Sequence, residues 1–475
     1  MNNKYLLEAL SWGKILLVLM VLVLVIFIFR ALYPKPSTLT LSDLTPLSLN
    51  GYQRLLILAP HCDDETLGSA GLIQAALRAG LQVRVVIATN GDGYYFATMQ
   101  DFRKIYPHSQ DFIRMGELRQ KESLAALGIL GVKPSQVVFL SYPDRGTPSL
   151  WNDHWSKDSP FRSPYSGDSK SPYKLTYDPQ AVYAGEDYLA DVTSILKDYR
   201  PDLIVFPHPD DVHPDHWGLN IFTRLAVTLL KHADSTFIPT EMTYLVHRPD
   251  FPVVRGYKPQ ELLVPPPALY QIYPDWVRWD LSPQDVDTKD QAVQQYRSQL
   301  PLLRNLMESF VRSNELFALV TDAVMPVLDQ GDPFNPSTWL DKKGLGIPMV
   351  QADPVFDFIS RDAIPAADLV GVYVARDDQG NLFICSQTRE ETIPELLYTI
   401  RLKALTGKDI KSFKAETRAA KPGWQVARRS GVYVCASIPL VDLGDPWAVF
   451  VGANVIGGGR IMDESAWQMV YLNNP

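Results

Sequence analysis

The chain has 475 residues, which exceeds one typical domain, so we expect two folded units. Hydrophobic residues make up 46% of it and charged residues 21%, a composition typical of a globular protein with a substantial core. The net charge of −8 and the lack of a Lys/Arg-rich tract argue against nucleic acid as a partner.

The N-terminus carries an apolar segment. Residues 15–29 form an unbroken apolar run between Lys14 and Arg30, and with its interfacial neighbours the run approaches the ~20 residues that span a bilayer. No small-residue cleavage site follows it, as a secretory signal would require. We therefore expect residues 1–34 to be a transmembrane signal anchor and residues 35–50 to be a linker. Basic residues flank both ends, and the terminal amine favours a single-pass membrane protein with its body extracytoplasmic.

The next part of the chain alternates strand-like and helix-like stretches. Strands are predicted near 54–59, 83–89, 137–141, 202–206 and 242–247. Helices are predicted near 66–79, 112–129, 180–199 and 216–231. This order predicts a Rossmann-like, mostly parallel sheet with right-handed crossovers. No G-x-G-x-x-G follows the first strand and no G-x-S-x-G occurs, which argues against a dinucleotide site and a serine hydrolase.

A cluster of acids and a histidine follows the first strand. Residues 59–68 read Ala-Pro-His-Cys-Asp-Asp-Glu-Thr-Leu-Gly, so His61, Asp63 and Asp64 crowd the exit of the strand. Adjacent carboxylates repel one another unless a cation or a helix N-terminus compensates their charge. A metal site and an acidic N-cap are both compatible with this turn.

A second cluster follows the fourth predicted strand. Residues 201–216 hold three of the eight histidines, His208, His213 and His216, among several aspartates. Neutral imidazoles with a carboxylate suit zinc, and three protein ligands with one open position are typical of a catalytic zinc site. Open α/β sheets place ligands beyond the carboxyl ends of strands, so the two clusters are expected to meet there.

At this point the motifs resemble a known family. The first cluster resembles the Pro-His-x-Asp-Asp-Glu-x-Leu-Gly signature of the PIG-L/LmbE-like zinc de-N-acetylases, which include N-acetylglucosaminyl deacetylases, and the second resembles their His-Pro-Asp-His motif. Arg119 and Glu122 match the family's Arg-x-x-Glu helix, and Asp144 its strand-end aspartate. The resemblance covers roughly residues 52–320. Cys62 departs from it, since proline is usual there, and we expect a small buried side chain.

The resemblance implies a role for each motif residue. The expected zinc ligands are His61, Asp64 and His216. The expected catalytic residues are Asp63 as general base, His213 as oxyanion stabiliser or proton donor, and Asp215 as the partner that orients a histidine. The expected substrate-binding residues are Arg119, Asp92, Asp144 and His247. Two alternatives remain open: Arg119 could form an i,i+3 pair with Glu122, and His247 could be structural.

Two further stretches of this part have no motif. Residues 145–178 are long for a connection and rich in aromatic side chains, which could stack on a sugar or pack under the loop. His154 within them is expected at the surface. Residues 284–320 are predicted as closing helices, with Lys289 and the stretch Asn-Glu-Leu-Phe at 314–317 as scaffold.

The C-terminal part has a different pattern. Residues 51–328 are predicted as the catalytic domain, 329–350 as a linker and 351–475 as a β-sandwich domain. Its short Val/Tyr/Phe/Trp-rich stretches lie at 369–376, 381–387, 396–405, 424–428, 432–440, 447–454 and 467–472. It faintly resembles appended sugar-binding modules, so glycan contact and plain packing both remain open. Cys385 and Cys435 could pair on adjacent strands, but buried free thiols are expected.

These features predict a membrane-anchored, zinc-dependent hydrolase. It would remove the acetyl group from an N-acetylglucosamine-type sugar in a glycan, glycolipid or glycoconjugate. One alternative applies the same metal site to another amide or ester. Another is a non-catalytic glycan-binding or assembly protein, against which the intact His61, Asp63, Asp64, His213 and His216 argue.

Overall fold

The computed structural model describes residues 39–353, 364–407, 409–418 and 425–473. The predicted signal anchor, residues 1–34, lies outside them. Among the described residues no helix combines the length and the apolarity needed to cross a bilayer. The longest helix there, Ser109–Ile129, carries charged side chains along its length, which a bilayer core does not accept. The finding contradicts the single-pass membrane localisation and the extracytoplasmic placement, and neither is retained.

The first part of the described chain alternates strands with helices. Its strands are β1 (Thr45–Pro46), β2 (Arg54–Ala59), β3 (Gln82–Thr89), β4 (Val137–Tyr142), β5 (Leu203–Pro207), β6 (Thr240–Tyr244), β7 (Trp276–Asp280) and β8 (Asn314–Leu319). Its helices are α1 (Asp64–Arg78), α2 (Tyr95–Phe102), α3 (Ser109–Ile129), α4 (Thr147–Asn152), α5 (Gly185–Tyr199), α6 (Pro214–Ala233), α7 (Pro267–Ile272), α8 (Pro283–Val293) and α9 (Leu300–Met307).

These strands form one mostly parallel sheet, as predicted. Within the described residues it has eight strands in the order β1-β7-β8-β6-β5-β2-β3-β4. The central strands β2 to β6 run parallel, while β8 is antiparallel to β6 and β7. β3 and β4 lie on one side of β2, and β5 and β6 on the other. The chain therefore reverses its winding direction between β2 and β5, which is where α/β sheets bind ligands.

Helices cover both faces of this sheet. Side chains alternate along β2, so Leu55 and Ile57 join the core that contains helix α1, whereas Leu56 and Leu58 join the core that contains α5 and α6. A strand buried on both faces needs apolar residues at every position, which explains its uninterrupted apolar run. Gly68 lets α1 approach the sheet, because a Cβ at that position would lie 2.5 Å from the ring of Tyr244.

The prediction that residues 284–320 form closing helices was wrong for its last part. Helices α8 and α9 are present, but Asn314–Leu319 is a strand of the main sheet rather than a helix. Buried Asn314 and Glu315 interrupt the apolar alternation by which a strand is recognised. The short strands β1 and β7 were not predicted.

The C-terminal region is rich in β-structure. Its strands are β9 (Ala323–Val324), β10 (Gln351–Ala352), β11 (Leu369–Arg376), β12 (Asn381–Thr388), β13 (Leu397–Leu405), β14 (Ile410–Glu416), β15 (Gln425–Val426), β16 (Arg428–Ser430), β17 (Tyr433–Pro439), β18 (Ala448–Gly457), β19 (Arg460–Glu464) and β20 (Gln468–Tyr471). They form two sheets, β10-β11-β12-β17-β16 and β15-β14-β13-β18-β20-β9, with β19 paired to β18. One apolar core joins the two sheets, with Val374 and Ile384 from the first and Leu402 and Val451 from the second.

Cys385 and Cys435 form a disulfide, so the expectation of free thiols was wrong. Strands β12 and β17 are antiparallel, and their register places the two cysteines directly opposite each other with their Cα atoms 4.1 Å apart. Cys62 is a free and fully buried thiol.

The C-terminal region packs on the main sheet's helices through a shared apolar core. Trp151 and Phe222 belong to the same buried cluster as Phe450 and Trp467 of the C-terminal region. The rings of Trp151 and Trp467 lie 5.4 Å apart in an edge-to-face arrangement. This packing fixes the position of the C-terminal region beside the exits of strands β4 and β5.

Candidate active site

The two sequence clusters meet at the carboxyl edge of the sheet, as the alternation of strands and helices predicts. Strand β2 ends at Ala59, and the turn that follows leads into helix α1 at Asp64. Strand β5 ends at Pro207, and helix α6 begins at Pro214. Because β2 and β5 are neighbouring parallel strands, their following turns lie side by side.

The three expected metal ligands lie together. Asp64 Oδ2 is 3.0 Å from His61 Nδ1 and 3.0 Å from His216 Nε2. The centroids of the two imidazole rings are 5.3 Å apart. His247, which the sequence assigned to the substrate, lies at the edge of this group, with Nε2 3.9 Å from Asp64 Oδ1. These four side chains are close enough to share one cation.

The donor atoms of this group are better suited to coordinating a metal ion than to forming hydrogen bonds with one another. Asp64 and His216 are fully buried, yet Asp64 Oδ1 and both ring nitrogens of His216 lack a hydrogen bond of good geometry among the described residues. Buried polar atoms without partners are rare in folded proteins, and an ion that coordinates them is a common reason. Two imidazoles and a carboxylate form a ligand set that zinc accepts.

The charges of the cluster are interdependent. Burial alone would raise the pKa of Asp64, but His216 and His61 hold it well below its ordinary value. Burial would lower the pKa of His216, whereas Asp211 and Asp64 raise it to about 9. The carboxylates therefore require positive charge beside them, which either protons on the imidazoles or a metal ion supplies.

Asp211 is a site residue that the sequence analysis missed. Its Oδ2 atom lies 3.0 Å from His216 Nδ1, on the ring edge opposite Asp64. The same oxygen accepts the backbone N–H groups of Val246 and His247, which orient the carboxylate. A carboxylate behind a histidine ligand fixes the tautomer and the orientation of the ring. The sequence could have indicated this residue, because Asp211 lies just before the His-Pro-Asp-His motif.

Asp144 and Asp215 converge on His61, the other histidine among the expected metal ligands. Asp215 Oδ2 is 3.3 Å from His61 Nε2, and Asp144 Oδ1 is 3.4 Å from the same nitrogen. Asp215 also accepts the backbone N–H groups of Arg145, at 2.6 Å, and Thr147. Asp215 is thus placed to orient a histidine, as expected, and that histidine is His61.

His213 lies at the accessible side of the cluster. Its ring centroid is 4.5 Å from that of His61, and its Nδ1 atom accepts the backbone N–H of Asp215 as the N-cap of helix α6. Burial, followed by the nearby imidazoles of His61, His247 and His216, lowers the pKa of His213 well below its ordinary value. His213 is only half-buried, and Arg145, Val212 and Pro214 beside it are exposed. We call these three exposed residues the mouth of the site.

Asp63 forms a buried ion pair with Arg119. Arg119 Nη2 donates to Asp63 Oδ2 at 3.0 Å, and its Nη1 donates to the carbonyl of Gly91 at 2.8 Å. The alternative pair with Glu122 is not formed, since Glu122 accepts hydrogen bonds from Ser298 instead. Burial raises the pKa of Asp63, and the guanidinium of Arg119 counteracts part of that rise.

Asp92 and the aromatic loop lie at a further wall of the site. The hydroxyl of Tyr173 donates to Asp92 Oδ2 at 2.7 Å, and burial raises the pKa of Asp92 to about 7. Tyr173 and Trp151 are buried, so packing accounts for these two aromatic residues of 145–178. His154 is half-buried, and its Nδ1 lies 2.9 Å from the carbonyl of Ser159, away from the cluster.

The chain also matches known proteins over the part that contains this cluster. Residues 56–227 match the family model described as PIG-L, GlcNAc-PI de-N-acetylase. This part of the chain is similar to a PIG-L domain. The matched residues include all the expected metal ligands and the Asp63–Arg119 pair, but not His247.

The curated relatives that the chain matches are named as sugar deacetylases. A 1D-myo-inositol 2-acetamido-2-deoxy-alpha-D-glucopyranoside deacetylase from Mycobacterium sp. (strain KMS) is 31% identical over 186 residues, which cover 38% of this chain and 53% of the relative. The enzyme of the same name from Corynebacterium urealyticum is 31% identical over 203 residues, covering 41% and 53%. The chain thus spans about half the length of the curated relatives it matches.

One similar solved structure is the N,N'-diacetylchitobiose deacetylase from Pyrococcus horikoshii in complex with an inhibitor. It is 18% identical, with a TM-score of 0.36, and the alignment covers 57% of this chain and 85% of that protein.

Proposed function

We propose that this protein is a zinc-dependent de-N-acetylase that removes the acetyl group from an N-acetylglucosamine-type sugar in a glycan, glycolipid or glycoconjugate. The observation that carries the proposal is the convergence of His61, Asp64 and His216, with unsatisfied buried donor atoms, beside the buried Asp63–Arg119 pair. The names of the curated relatives support an acetamido sugar as the substrate class.

In this proposal His61, Asp64 and His216 hold the metal ion, and His247 lies at its edge. A bound zinc ion supplies two things at such a site: it polarises an amide carbonyl, and it lowers the pKa of water toward about 7. Asp211 behind His216 and Asp215 behind His61 keep the two imidazoles in the orientation that coordination requires.

Asp63 acts as the general base. It follows the ligand His61 by two residues and precedes the ligand Asp64, and its carboxylate is held by Arg119 rather than by the ligand group. It accepts a proton from the attacking water as the oxygen bonds to the acetyl carbon. The same carboxyl group returns a proton to the amine when the C–N bond breaks, which releases acetate and a free amino sugar.

His213 stabilises the negative charge that develops on the carbonyl oxygen. Because its Nδ1 accepts the N–H of Asp215, the ring proton resides on Nε2, which is then a hydrogen-bond donor. A neutral imidazole of this kind can donate to the developing oxyanion, in keeping with the lowered pKa of His213.

The substrate sugar contacts the walls around the cluster. Asp144 and Asp92 line the side nearest the loop 145–178, and their carboxylates are candidates for binding sugar hydroxyls. Arg119 was expected to bind substrate, but both of its terminal nitrogens are engaged within the protein. We therefore propose that Arg119 positions Asp63 rather than touching the sugar.

The domain division belongs to the proposal as well. We propose a catalytic domain over residues 51–328, a linker over 329–350 and a β-sandwich domain over 351–475. The two sheets that share one core support the sandwich architecture. The core shared with Trp151 supports a firm attachment of the sandwich to the catalytic domain.

Acetate release tests the function directly. The purified chain is incubated with N-acetylglucosamine, N,N'-diacetylchitobiose and an N-acetylglucosaminyl inositol, and acetate and zinc content are measured. We expect acetate from at least one sugar, loss of release with a chelator, and recovery on adding zinc. Asp63→Asn should keep zinc and lose activity. Zinc-loaded protein that releases no acetate from any of these sugars, or unchanged activity in Asp63→Asn, would overturn the proposal.

A further inference from the structure

A cavity of about 360 Å³ lies where the C-terminal region meets the mouth of the site. Its volume is within the range of ligand pockets, about 300–1,000 Å³. The lining residues come from both parts of the chain: Arg145, Val212 and Pro214 of the mouth, and Arg401, Glu464 and Trp467 of the C-terminal region. We call this cavity the interdomain cleft.

The interdomain cleft begins next to the proposed chemistry. Val212 and Pro214 flank His213 in the chain, so all three mouth residues border both the cleft and the accessible side of the cluster. The backbone N–H of Arg145 donates to Asp215, which fixes the mouth relative to His61. A group attached to a sugar whose acetamide reaches the cluster would therefore leave through the mouth into the cleft.

The chemistry of the cleft suits a sugar. Arg401 Nη1 donates to Asn152 Oδ1 at 3.1 Å and to Glu464 Oε1 at 3.3 Å, so a guanidinium, an amide and a carboxylate lie side by side. Arg401 Nε is buried and has no hydrogen-bond acceptor within the described part of the chain. Sugar hydroxyls both donate and accept hydrogen bonds. A guanidinium, an amide or a carboxylate can therefore bind two neighbouring hydroxyls at once. Trp467 is largely buried and contributes an apolar edge to the lining of the cleft.

The walls of the cleft are rigid relative to each other. Trp467 packs edge-to-face on Trp151, and Lys403 places its ammonium 3.9 Å from the ring centroid of Trp155. The first contact joins the C-terminal region to helix α4, and the second joins it to the segment that follows this helix. A cleft formed in advance binds its ligand without the cost of ordering it.

From these observations we infer that the interdomain cleft is a subsite for a second saccharide unit, linked to the sugar that is deacetylated. The inference rests on the proposed deacetylase function and sharpens the expectation of a glycan contact by the C-terminal domain. It assigns to Arg401, Glu464 and Trp467 the recognition of that second unit. The substrate class becomes an N-acetylated oligosaccharide or glycoconjugate rather than a free monosaccharide.

The test compares kcat/KM for N-acetylglucosamine, N,N'-diacetylchitobiose and the trisaccharide of the same series. The wild-type chain should favour the disaccharide over the monosaccharide. Arg401→Met should reduce that preference by about tenfold, since it removes hydrogen bonds from a charged group. Ile461→Trp narrows the cleft from an exposed position, so it should reduce the preference with little effect on thermal stability. Arg429→Met, an exposed arginine of strand β16, is the matched control.

Each outcome decides the inference. An unchanged disaccharide preference in both Arg401→Met and Ile461→Trp, with folding intact, overturns it while leaving the deacetylase function in place. If no sugar releases acetate, the proposed function fails, and the cleft is then tested by tryptophan fluorescence titration with N,N'-diacetylchitobiose. Binding that weakens in both variants supports the subsite even then. A titration without binding, or with equal affinity in wild type and variants, overturns it.

Discussion

The Nη2 atom of Arg119 lies 3.0 Å from the Oδ2 atom of Asp63, and both side chains are buried. The two residues are separated by 56 positions, yet this pair holds the proposed base beside the proposed metal ligands. Because the guanidinium of Arg119 also donates to the Gly91 carbonyl, it fixes the orientation of the Asp63 carboxylate relative to the site.

Removing this anchor should impair the chemical step. Arg119→Met is expected to lower kcat by about 10- to 100-fold with a smaller effect on KM, because Asp63 loses its orientation while the substrate walls remain. Arg119→Lys should recover part of the rate, since an ammonium keeps the charge but not both hydrogen bonds. Steady-state acetate release measures the effect. Arg114→Met, on the exposed side of helix α3, is the control and should behave as wild type. An effect on KM alone would instead assign Arg119 to substrate binding.

Metal content should depend on the clustered ligands. Asp64→Asn and His216→Ala are each expected to lose most of the bound zinc, because each removes one of three expected ligands. Elemental analysis of the purified variants checks this without reference to activity. His154→Ala serves as the comparison, since that histidine lies outside the cluster and should retain the wild-type zinc content. Wild-type zinc content in both ligand variants would contradict the assignment.

The buried pair of Lys289 and Glu315 should contribute strongly to stability. Lys289 Nζ lies 2.8 Å from Glu315 Oε1, and Glu315 also accepts the backbone N–H groups of Gly71 and Leu72 in helix α1. Lys289→Met leaves a buried carboxylate uncompensated, which is expected to lower the free energy of unfolding by about 3–5 kcal/mol. Chemical denaturation measures it.

The double variant Lys289→Met/Glu315→Gln is expected to recover part of that loss, because the glutamine is neutral and can still accept a backbone hydrogen bond. Lys342→Met removes an exposed ion pair with Asp378 and should change stability by about 1 kcal/mol or less. If Lys289→Met and Lys342→Met lowered the free energy of unfolding equally, burial of the ion pair would not be the deciding factor.

The stability of the chain should depend on pH through Lys403. Burial lowers the pKa of Lys403 to about 7, although its contacts with Trp155 and Ser412 favour the charged form. In the unfolded chain the lysine keeps a pKa near ~10.4, so the unfolded state binds more protons between about pH 7 and 10. Lys403 therefore lowers the free energy of unfolding most below about pH 7, and this destabilisation decreases as the pH rises to about 10.

Thermal unfolding of the wild type and of Lys403→Met at a series of pH values tests this. Relative to the variant, the wild type should gain stability as the pH increases from about 7 to 10, where the ammonium in the folded state is neutralised. Lys411→Met, an exposed lysine on strand β14, should show a difference from wild type that does not vary with pH. A constant difference for Lys403→Met as well would mean that the ring contacts keep its ordinary pKa.

Much of the α/β fold was predictable from local patterns. Strand β2 is apolar from Leu55 to Ala59 and strand β5 throughout, and a proline marks the end of each, so their bounds could be predicted within one or two residues. The meeting of His61 with His216 followed from the parallel order of these strands. The positions of these two motifs in the fold could be predicted because each motif follows a strand that the sequence predicts.

Contacts that depend on register or on distant partners were not predictable. The disulfide of Cys385 and Cys435 required the pairing register of β12 and β17, which alternation alone does not define. Arg119 could not be assigned to Asp63 because its nearest acidic neighbour in the helix, Glu122, was the obvious local partner. Strand β8 was hidden because Glu315 is buried and polar, and its partner Lys289 lies on another element.

The aromatic core around Trp151 has a consequence for how such a protein can be divided or recombined. Trp151 of the α/β part would lose its cover if the chain ended before the C-terminal strands, since the rings of Phe450 and Trp467 pack on it. A graft of the α/β part onto another protein would therefore need another apolar surface to cover Trp151.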